Sequence, residues 1–503
     1  MEISVLEKRL QEIKHKVQNE EHLPENFFKD TYDEYVCSAQ NLLRYLKLRT
    51  IDIREIQTEL TVLGISSLGT SAGYVLENIS RSIALVRLIQ GLPVDNEIQK
   101  SKLGFRESTM LLEARSTSLF NGANGKTNTQ IMVTMPDEAA ENTELLRNLF
   151  SAGMDIARIN LSHGEPELWN NMLQNIHQVV RQLEHKSCVF MDLPGPKIRV
   201  DAVYAFSPQE NRYENVNSIA VHIDFQFDVM KDDEFSRRRH MDTLLNHVVT
   251  VLLPEIIDGI NVGDRIFFDD GAIEGTVTSK SKGSARVKIS TATKKRLREG
   301  KGINLPDTHL SLPSLTQNDL ELLPYASKNA DIIGYSFVRT PEDVATLYTK
   351  LAELGDTRTG VVFKIENKEA FENLPRILFE AMKRPRIGVM IARGDLAVEI
   401  GFDRISEVKN QIMAICEAAH IPVIWATQVL ETMAKKGLAT RAEISDVVLS
   451  VHAECVMLNK GPHITQTVAM LKNILTRMEE HSAKSKKILR PLEVARKSLE
   501  DMI

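Results

Sequence analysis

From Gln130 onward the chain alternates short, near-continuous apolar runs with segments of helical period, and this alternation restricts the fold more than any other feature. The apolar runs fall at 131–135, 157–161, 188–193, 331–337, 360–366, 387–392, 422–427 and 454–459. Helical patterns lie between them at 141–151, 169–183, 341–354, 405–419 and 443–451. Strands that are apolar on both faces and separated by helices belong to a parallel sheet covered on both sides. Eight such units predict an α/β fold with a closed (β/α)8 TIM barrel. A doubly wound open sheet is less favoured, because no glycine fingerprint follows the first run.

The remaining segments attach to that barrel. Residues 1–118 read as a helical accessory domain: Leu10, Ile13 and Val17 keep a helical spacing, and 42–48, 51–63 and 75–92 are dense in helix formers. No catalytic constellation occurs there, so packing or oligomerisation is its expected role. Residues 119–129 read as a polar linker. Its Gly125-Lys126-Thr127 is not a phosphate loop, because that motif needs a glycine where Phe120 stands. The stretch 200–305 interrupts the barrel, alternates apolar with polar residues and turns at Gly271 and Gly283. It is expected to form a small antiparallel β-barrel lid, with 207–218 and 231–245 as loops. The barrel is then 130–199 plus 306–480, and 481–503 is a helical tail.

Bulk chemistry narrows the function. A net charge of −6 argues against a general nucleic-acid binder. No run of about 18 apolar residues is present, so no membrane span is expected. The opening residues have neither the apolar core of a secretory signal nor the acid-poor composition of a transit peptide. The four cysteines, Cys37, Cys188, Cys416 and Cys455, form no CxxC pair, which suits a reducing compartment. A cytoplasmic protein is expected.

Barrel chemistry occurs at the C-terminal strand ends. Those ends carry Arg158-Ile-Asn160-Leu-Ser162-His163, Asp192-Leu193 through Lys197 to Arg199, Ser336-Phe-Val-Arg339, Lys364-Ile-Glu366-Asn367, Arg393-Gly394-Asp395 and Ala426-Thr427-Gln428. In a strand, Lys364 and Glu366 project to the same face. Alone they could be a buried ion pair that fixes register. Charge at one rim, strand after strand, favours a site instead. Glu366 and Asp395 suit Mg²⁺, which takes one or two carboxylates and completes its shell with water and substrate. Arg158, Arg199, Lys301 and Lys364 supply the positive charge that phosphoryl transfer needs.

The motifs ARINLSHG, DLPGPKIR, VGDRIFFDDG, KGINLP, SFVR, KIEN, ARGDLAVEI, ATQVLETM and TRAEISDV, in this order, resemble those of the pyruvate kinase family over residues 130–480. The resemblance implies phosphoryl transfer from phosphoenolpyruvate to ADP, giving pyruvate and ATP. It implies Glu366 and Asp395 as ligands of Mg²⁺ or Mn²⁺, Lys364 on the phosphoryl group in flight and Arg158 on the phosphate. The N–H groups of Gly394 and Asp395 would hold the substrate carboxylate, and Thr427 would belong to the relay that protonates the enolate. Asn160, Ser162, Asp192 and the Leu193 carbonyl correspond to a monovalent-cation site. His163, Arg199 and Lys301 would face the nucleotide phosphates, with Asp269-Asp270-Gly271 closing over them.

The pattern departs from the family in places. Lys197 stands where many members carry glutamate, so K⁺ is expected to be dispensable. Met135 replaces glycine near the adenine pocket. Asn459-Lys460-Gly461-Pro462 replaces the loop whose hydroxyl supports Thr427, and control through the usual C-terminal effector domain is not expected. The alternatives are a phosphotransferase for another enol or keto acid, suggested by this loop and by Trp425 beside Thr427, and a weakened paralogue that only binds ligand. Oligomeric state is left open.

Overall fold

The structure, a computed structural model, describes residues 1–19, 27–94, 103–121, 129–239, 244–310, 312–479, 482–483 and 486–487. Eight strands close into a barrel in which every neighbouring pair is parallel: β1 (Gln130–Thr134), β2 (Ile156–Asn160), β3 (Cys188–Asp192), β4 (Ile332–Tyr335), β5 (Gly360–Ile365), β6 (Ile387–Ala392), β7 (Val423–Ala426) and β8 (Cys455–Leu458). Each follows its neighbour around the ring, and β8 returns to β1. The expected barrel is thus borne out.

The two-residue period of a strand sorts the side chains. One face of the ring, with Ile131, Val133, Ile159, Met191, Phe363, Val389, Trp425 and Leu458, joins the large core beneath the surrounding helices. The alternate face forms an apolar plug inside the ring, with Met132, Ile156, Phe190, Ile332, Val362, Met390 and Ile424. Continuing that inner face by two residues per strand reaches Thr134, Arg158, Asp192 and Lys364. The inside of the barrel therefore changes from hydrocarbon to charge as it approaches the C-terminal rim.

Five N-terminal helices, α1 (Ile3–Gln18), α2 (Val36–Leu48), α3 (Arg54–Val62), α4 (Val75–Ile89) and α5 (Phe105–Leu119), pack onto the barrel's outer layer. Leu6, Leu10, Ile13 and Val17 bury one stripe of α1 in the same cluster that holds the barrel helices. Polar staples fix the junction. Asn41 donates to the carbonyls of Ala72 and Ala418, both at 2.8 Å, and accepts from the Val75 N–H. His420, fully buried, donates from Nε2 to the Gly73 carbonyl at 2.9 Å, leaving Nδ1 to accept from Ser38. Arg115 donates to the carbonyls of Ala419, His420 and Glu34.

The linker expected at 119–129 is corrected at its start. Leu119 and Phe120 are buried in the barrel's inner plug and form its floor. The opening glycine of β5 and the second residue of β6 leave the room: a Cβ on Gly360 or Gly388 would meet Leu119 at 2.8 or 2.7 Å. Gly125-Lys126-Thr127 lies outside the described residues. Leu119→Ala should cost about 2–5 kcal/mol in denaturant unfolding, the range for a large-to-small change in a packed core. A loss under about 1 kcal/mol would mean that the floor is not a packed element.

The insertion forms an eight-stranded sheet with its own core, which includes Val203, Phe227, Val249, Phe268 and Val287. The expected antiparallel pairing holds except between Gln226–Met230 and His247–Val251, which run parallel. Parallel neighbours need a crossover, and the helix Asp232–Arg238 lies on it, where a loop was expected. Residues Arg212–Asn215 are likewise a strand, paired with Val200–Ser207. In the tail expected to be helical, Ser482–Ala483 and Lys486–Lys487 pair as short antiparallel strands. Residues 488–503 are outside the described set.

Candidate active site

At the rim, Asp192 is the hub. It is 1% exposed and takes ion pairs from Arg158 and from Lys364, whose Nζ is 3.1 Å from Oδ2. Burial would raise the Asp192 carboxyl, but Lys364 and Arg158 outweigh it and hold the group below the usual carboxylate range. Gly334 is required opposite it, because a Cβ there would lie 2.4 Å from Asp192 Oδ1. Arg158 also donates to Thr134 Oγ1 at 2.8 Å. Lys364 donates to Ser336 Oγ at 2.8 Å, and the Ser336 hydroxyl donates in turn to the Leu193 carbonyl at 2.6 Å. Burial works against the Lys364 charge, yet Asp192 and Glu366 raise its pKa and keep the ammonium.

Glu366 continues the network. Its Oε1 is 3.3 Å from Lys364 Nζ, and its Oε2 accepts from the Phe337 N–H at 2.7 Å. Burial pushes its carboxyl up, Lys364 opposes that, and Asp395 adds to it. Glu366 and Asp395 are therefore in each other's field, and both line a cavity of about 380 Å³ between the barrel rim and the returning lid chain. Lys197 and Glu399 line it too. Two hard carboxylates facing one polar cavity fit a divalent ion by donor type, and a cation between them would offset the burial and the Asp395 charge that raise Glu366. Both oxygens of Asp395 are held by Lys197 Nζ, at 2.9 and 3.0 Å, so one of them would have to be released to the ion.

Burial pushes the Glu399 carboxyl up to about 7, against a hydrogen bond from Asn304, with Asp395 adding in the same direction. The folded value exceeds the ordinary 4.5, so the folded state holds this proton more tightly. The linked stability is complete below that ordinary value and is lost as pH rises through about 7. Glu399→Gln should flatten this slope. Relative to wild type, the variant should gain about 1–3 kcal/mol between pH 5 and pH 8 in denaturant unfolding with a chelator present. An unchanged slope would remove Glu399 from the account.

Backbone strain gathers at the same rim. Thr427, Gln428 and Leu430 after β7, and Phe337 after β4, all have positive φ, which is rare for a β-branched or bulky residue. The Phe337 conformation accompanies its N–H bond to Glu366. Thr427 Oγ1 accepts from the Gly394 N–H at 2.7 Å, and the Thr427 carbonyl accepts from Arg393 at 2.6 Å. The Gly394 N–H expected to receive a substrate carboxylate is thus engaged by Thr427, because this short helix, Arg393–Ile400, starts directly beneath the strained loop.

The structure brings Arg158, Asp192, Leu193, Lys364 and Glu366 into one network, with Asp395 and Lys197 beside it. Other residues expected at a cation site or on the nucleotide border this network rather than join it, Asn160 being the ladder neighbour of Asp192. Asn160 Oδ1 accepts from the Ser162 N–H, and the Lys197 hydrogen bonds go to Asp395. Arg199 donates to the Gly300 carbonyl. Lys301 pairs with Asp269 at 3.0 Å, while Asp270 and Gly271 form a turn against Phe402. His163 is held low by partial burial and by the fields of Lys460, Arg199 and Arg158, which puts these cations in one neighbourhood. Ser336 and Lys460, both at strand ends, carry no local sequence signal for their contacts: Ser336 accepts from Lys364, and Lys460 pairs with Asp137 at 3.1 Å. Trp425, thought to stand beside Thr427, faces outward from the ring into the helix layer, because it is one residue out of phase with Ile424 and Ala426.

A parallel barrel whose rim buries two cations among three carboxylates is an enzyme-type site for anionic substrates and a hard cation. Residues 126–463 match the model of the pyruvate kinase barrel domain. The pyruvate kinases of Staphylococcus aureus strains USA300 and NCTC 8325 / PS 47 are each 31% identical over 366 residues, covering 70% of this chain and 57% of theirs. The chain belongs to the pyruvate kinase family. It spans little more than half the length of these curated relatives. The family is one of kinase-type phosphotransferases acting on small molecules, and its members generally use a divalent metal. Among the described residues no helix is long and apolar enough to cross a membrane.

Proposed function

We propose that this chain is a pyruvate kinase that moves the phosphoryl group of phosphoenolpyruvate to ADP, yielding pyruvate and ATP. The observation that carries the reading is the buried Arg158–Asp192–Lys364–Glu366 network opening onto the cavity that holds Asp395. Glu366 and Asp395 would hold Mg²⁺ or Mn²⁺, which when bound supplies Lewis-acid stabilisation of substrate oxygens. Lys364 and Arg158 present fixed positive charge to the phosphoryl group as its bond to the enol oxygen breaks and its bond to the ADP oxygen forms. Asp192, with Ser336 bonded to Lys364, orients both cations. Thr427 contributes to the relay that delivers a proton to the enolate carbon. Gly394 and Asp395 receive the substrate carboxylate once the Gly394 N–H is released from Thr427.

We further assign the nucleotide phosphates to His163, Arg199 and Lys301, the barrel to 130–199 and 306–480, the lid to 200–305, and the helical accessory region to 1–118. Asn160, Ser162, Asp192 and Leu193 form the monovalent-cation corner, made dispensable by Lys197. A cytoplasmic setting agrees with four free cysteines. Glu366→Gln should raise the Mg²⁺ concentration needed for half-maximal turnover by about tenfold or more; an unchanged requirement would exclude it as a ligand. The Lys460–Asp137 pair, 3.1 Å across the β1 and β8 ends, favours a second reading in which another keto acid is preferred. Turnover across a panel of keto acids and nucleoside diphosphates tests the choice, and a preferred acceptor other than ADP or a product other than pyruvate would overturn the first reading.

A further inference from the structure

A cavity larger than the one at the barrel rim lies elsewhere among the described residues. It has a volume of about 740 Å³ and lies between the N-terminal helices and the barrel's outer layer. Its walls come from the end of α2, the segment 49–54, the turn 68–72 and the helix Ile405–Ala419, and Trp425 of β7 contributes from the barrel. This is the size of a ligand pocket and is far more than a packing defect.

One buried donor in its wall is unmet. Trp425 is 2% exposed, yet its indole Nε1–H has no hydrogen-bond partner, a cost normally avoided for a buried indole. Arg49 lies at the mouth, bonded to the Tyr45 hydroxyl at 2.7 Å, and no ion pair to a carboxylate is formed by it among the described residues. Asp52 is already closed on Arg54 through three side-chain bonds of 3.0, 3.2 and 2.6 Å. The cations Lys409 and Arg393 lie 4.5 and 4.8 Å from the Trp425 ring centre, and Asp446, paired with Arg393 at 2.6 Å, offsets only part of their charge. Leu48, Leu68, Met413 and Leu449 give apolar wall between these polar points.

We infer that this cavity is a second small-molecule site, taking an organic anion with an apolar body. The carboxylate or phosphate meets Arg49, the body lies on Leu68 and Met413, and an acceptor meets the Trp425 N–H. Glu417 also lines the wall, so a cation is the ligand class to be tested against. The inference does not depend on the reaction at the rim. Arg393 nevertheless joins the two regions, because it lies over Trp425 and donates to the Thr427 carbonyl.

The chain has two tryptophans, so Trp169→Phe leaves Trp425 as the sole emitter. Benzoate, phenyl phosphate and benzylamine are titrated into this full-length variant while its emission is followed. Saturable changes with at least one of the two anions are expected, benzylamine giving none, and Arg49→Gln in the same background should weaken the anion at least about tenfold. Whichever anion binds tighter identifies the head group. The inference is overturned if neither anion saturates by about 10 mM, if benzylamine binds as well as the anions, or if Arg49→Gln leaves the affinity unchanged.

Discussion

Lys364→Met is expected to lower phosphoryl transfer by about 10³-fold or more, because it removes a preorganised charge from a water-poor site. Lys364 is 8% exposed and touches Asp192, Ser336 and Glu366 at once, so its loss also leaves buried carboxylates short of a cation. Breaking a buried pair from one side typically costs about 3–5 kcal/mol. Arg158 still holds Asp192, so the lower end of that range is expected, and the deficit should shrink toward acid pH as Glu366, already raised, takes up a proton. Binding of substrate and thermal unfolding should therefore both be measured beside the rate. Near-wild-type turnover would deny Lys364 its role.

Lys197→Ala is the second large effect. In the wild type Lys197 covers both oxygens of Asp395, a fixed positive charge beside the proposed metal carboxylates. Turnover should be the same in potassium and tetramethylammonium salts. Without the ammonium, turnover in potassium-free buffer should fall by about 10²-fold and recover at least in part with KCl, since the site must then recruit a cation. Wild-type activity that is absent without K⁺ would contradict the assignment, and so would a variant indifferent to the salt.

Both predictions concern contacts that sequence could only partly disclose. Each of the eight barrel strands begins within one residue of the apolar run that announced it, because burial on both faces writes itself as uninterrupted hydrophobicity. Period two then identified which residues share the inner face, so Lys364 and Glu366 were legible as rim groups. Their partners were not. Asp192 lies 172 positions from Lys364, and Asp395 lies 198 from Lys197, and no local pattern reports such pairings. The same limit hid the barrel floor: Leu119 and Phe120 sit beside a polar stretch and are explained only by glycines on β5 and β6. The helix Asp232–Arg238 was missed because it is short and densely charged, so only the parallel strands it connects reveal it. Trp425 was misplaced for a simpler reason. Two residues apart in a continued strand would share a face, but β7 ends at Ala426 and Thr427 takes a positive φ, so the outward direction of Trp425 does not carry over to Thr427.

The central claim is that the charged network at the barrel rim moves a phosphoryl group from an enol phosphate to a nucleotide. The direct measurement is pyruvate release by the purified full-length chain supplied with phosphoenolpyruvate, ADP and Mg²⁺, with Lys364→Met run in parallel. Multiple turnovers by the wild type, with ATP formed in equal amount and the variant slower by about 10³-fold or more, are predicted. Phosphoenolpyruvate that binds in the presence of Mg²⁺ without giving pyruvate would contradict the account and leave the barrel as a ligand-binding site only.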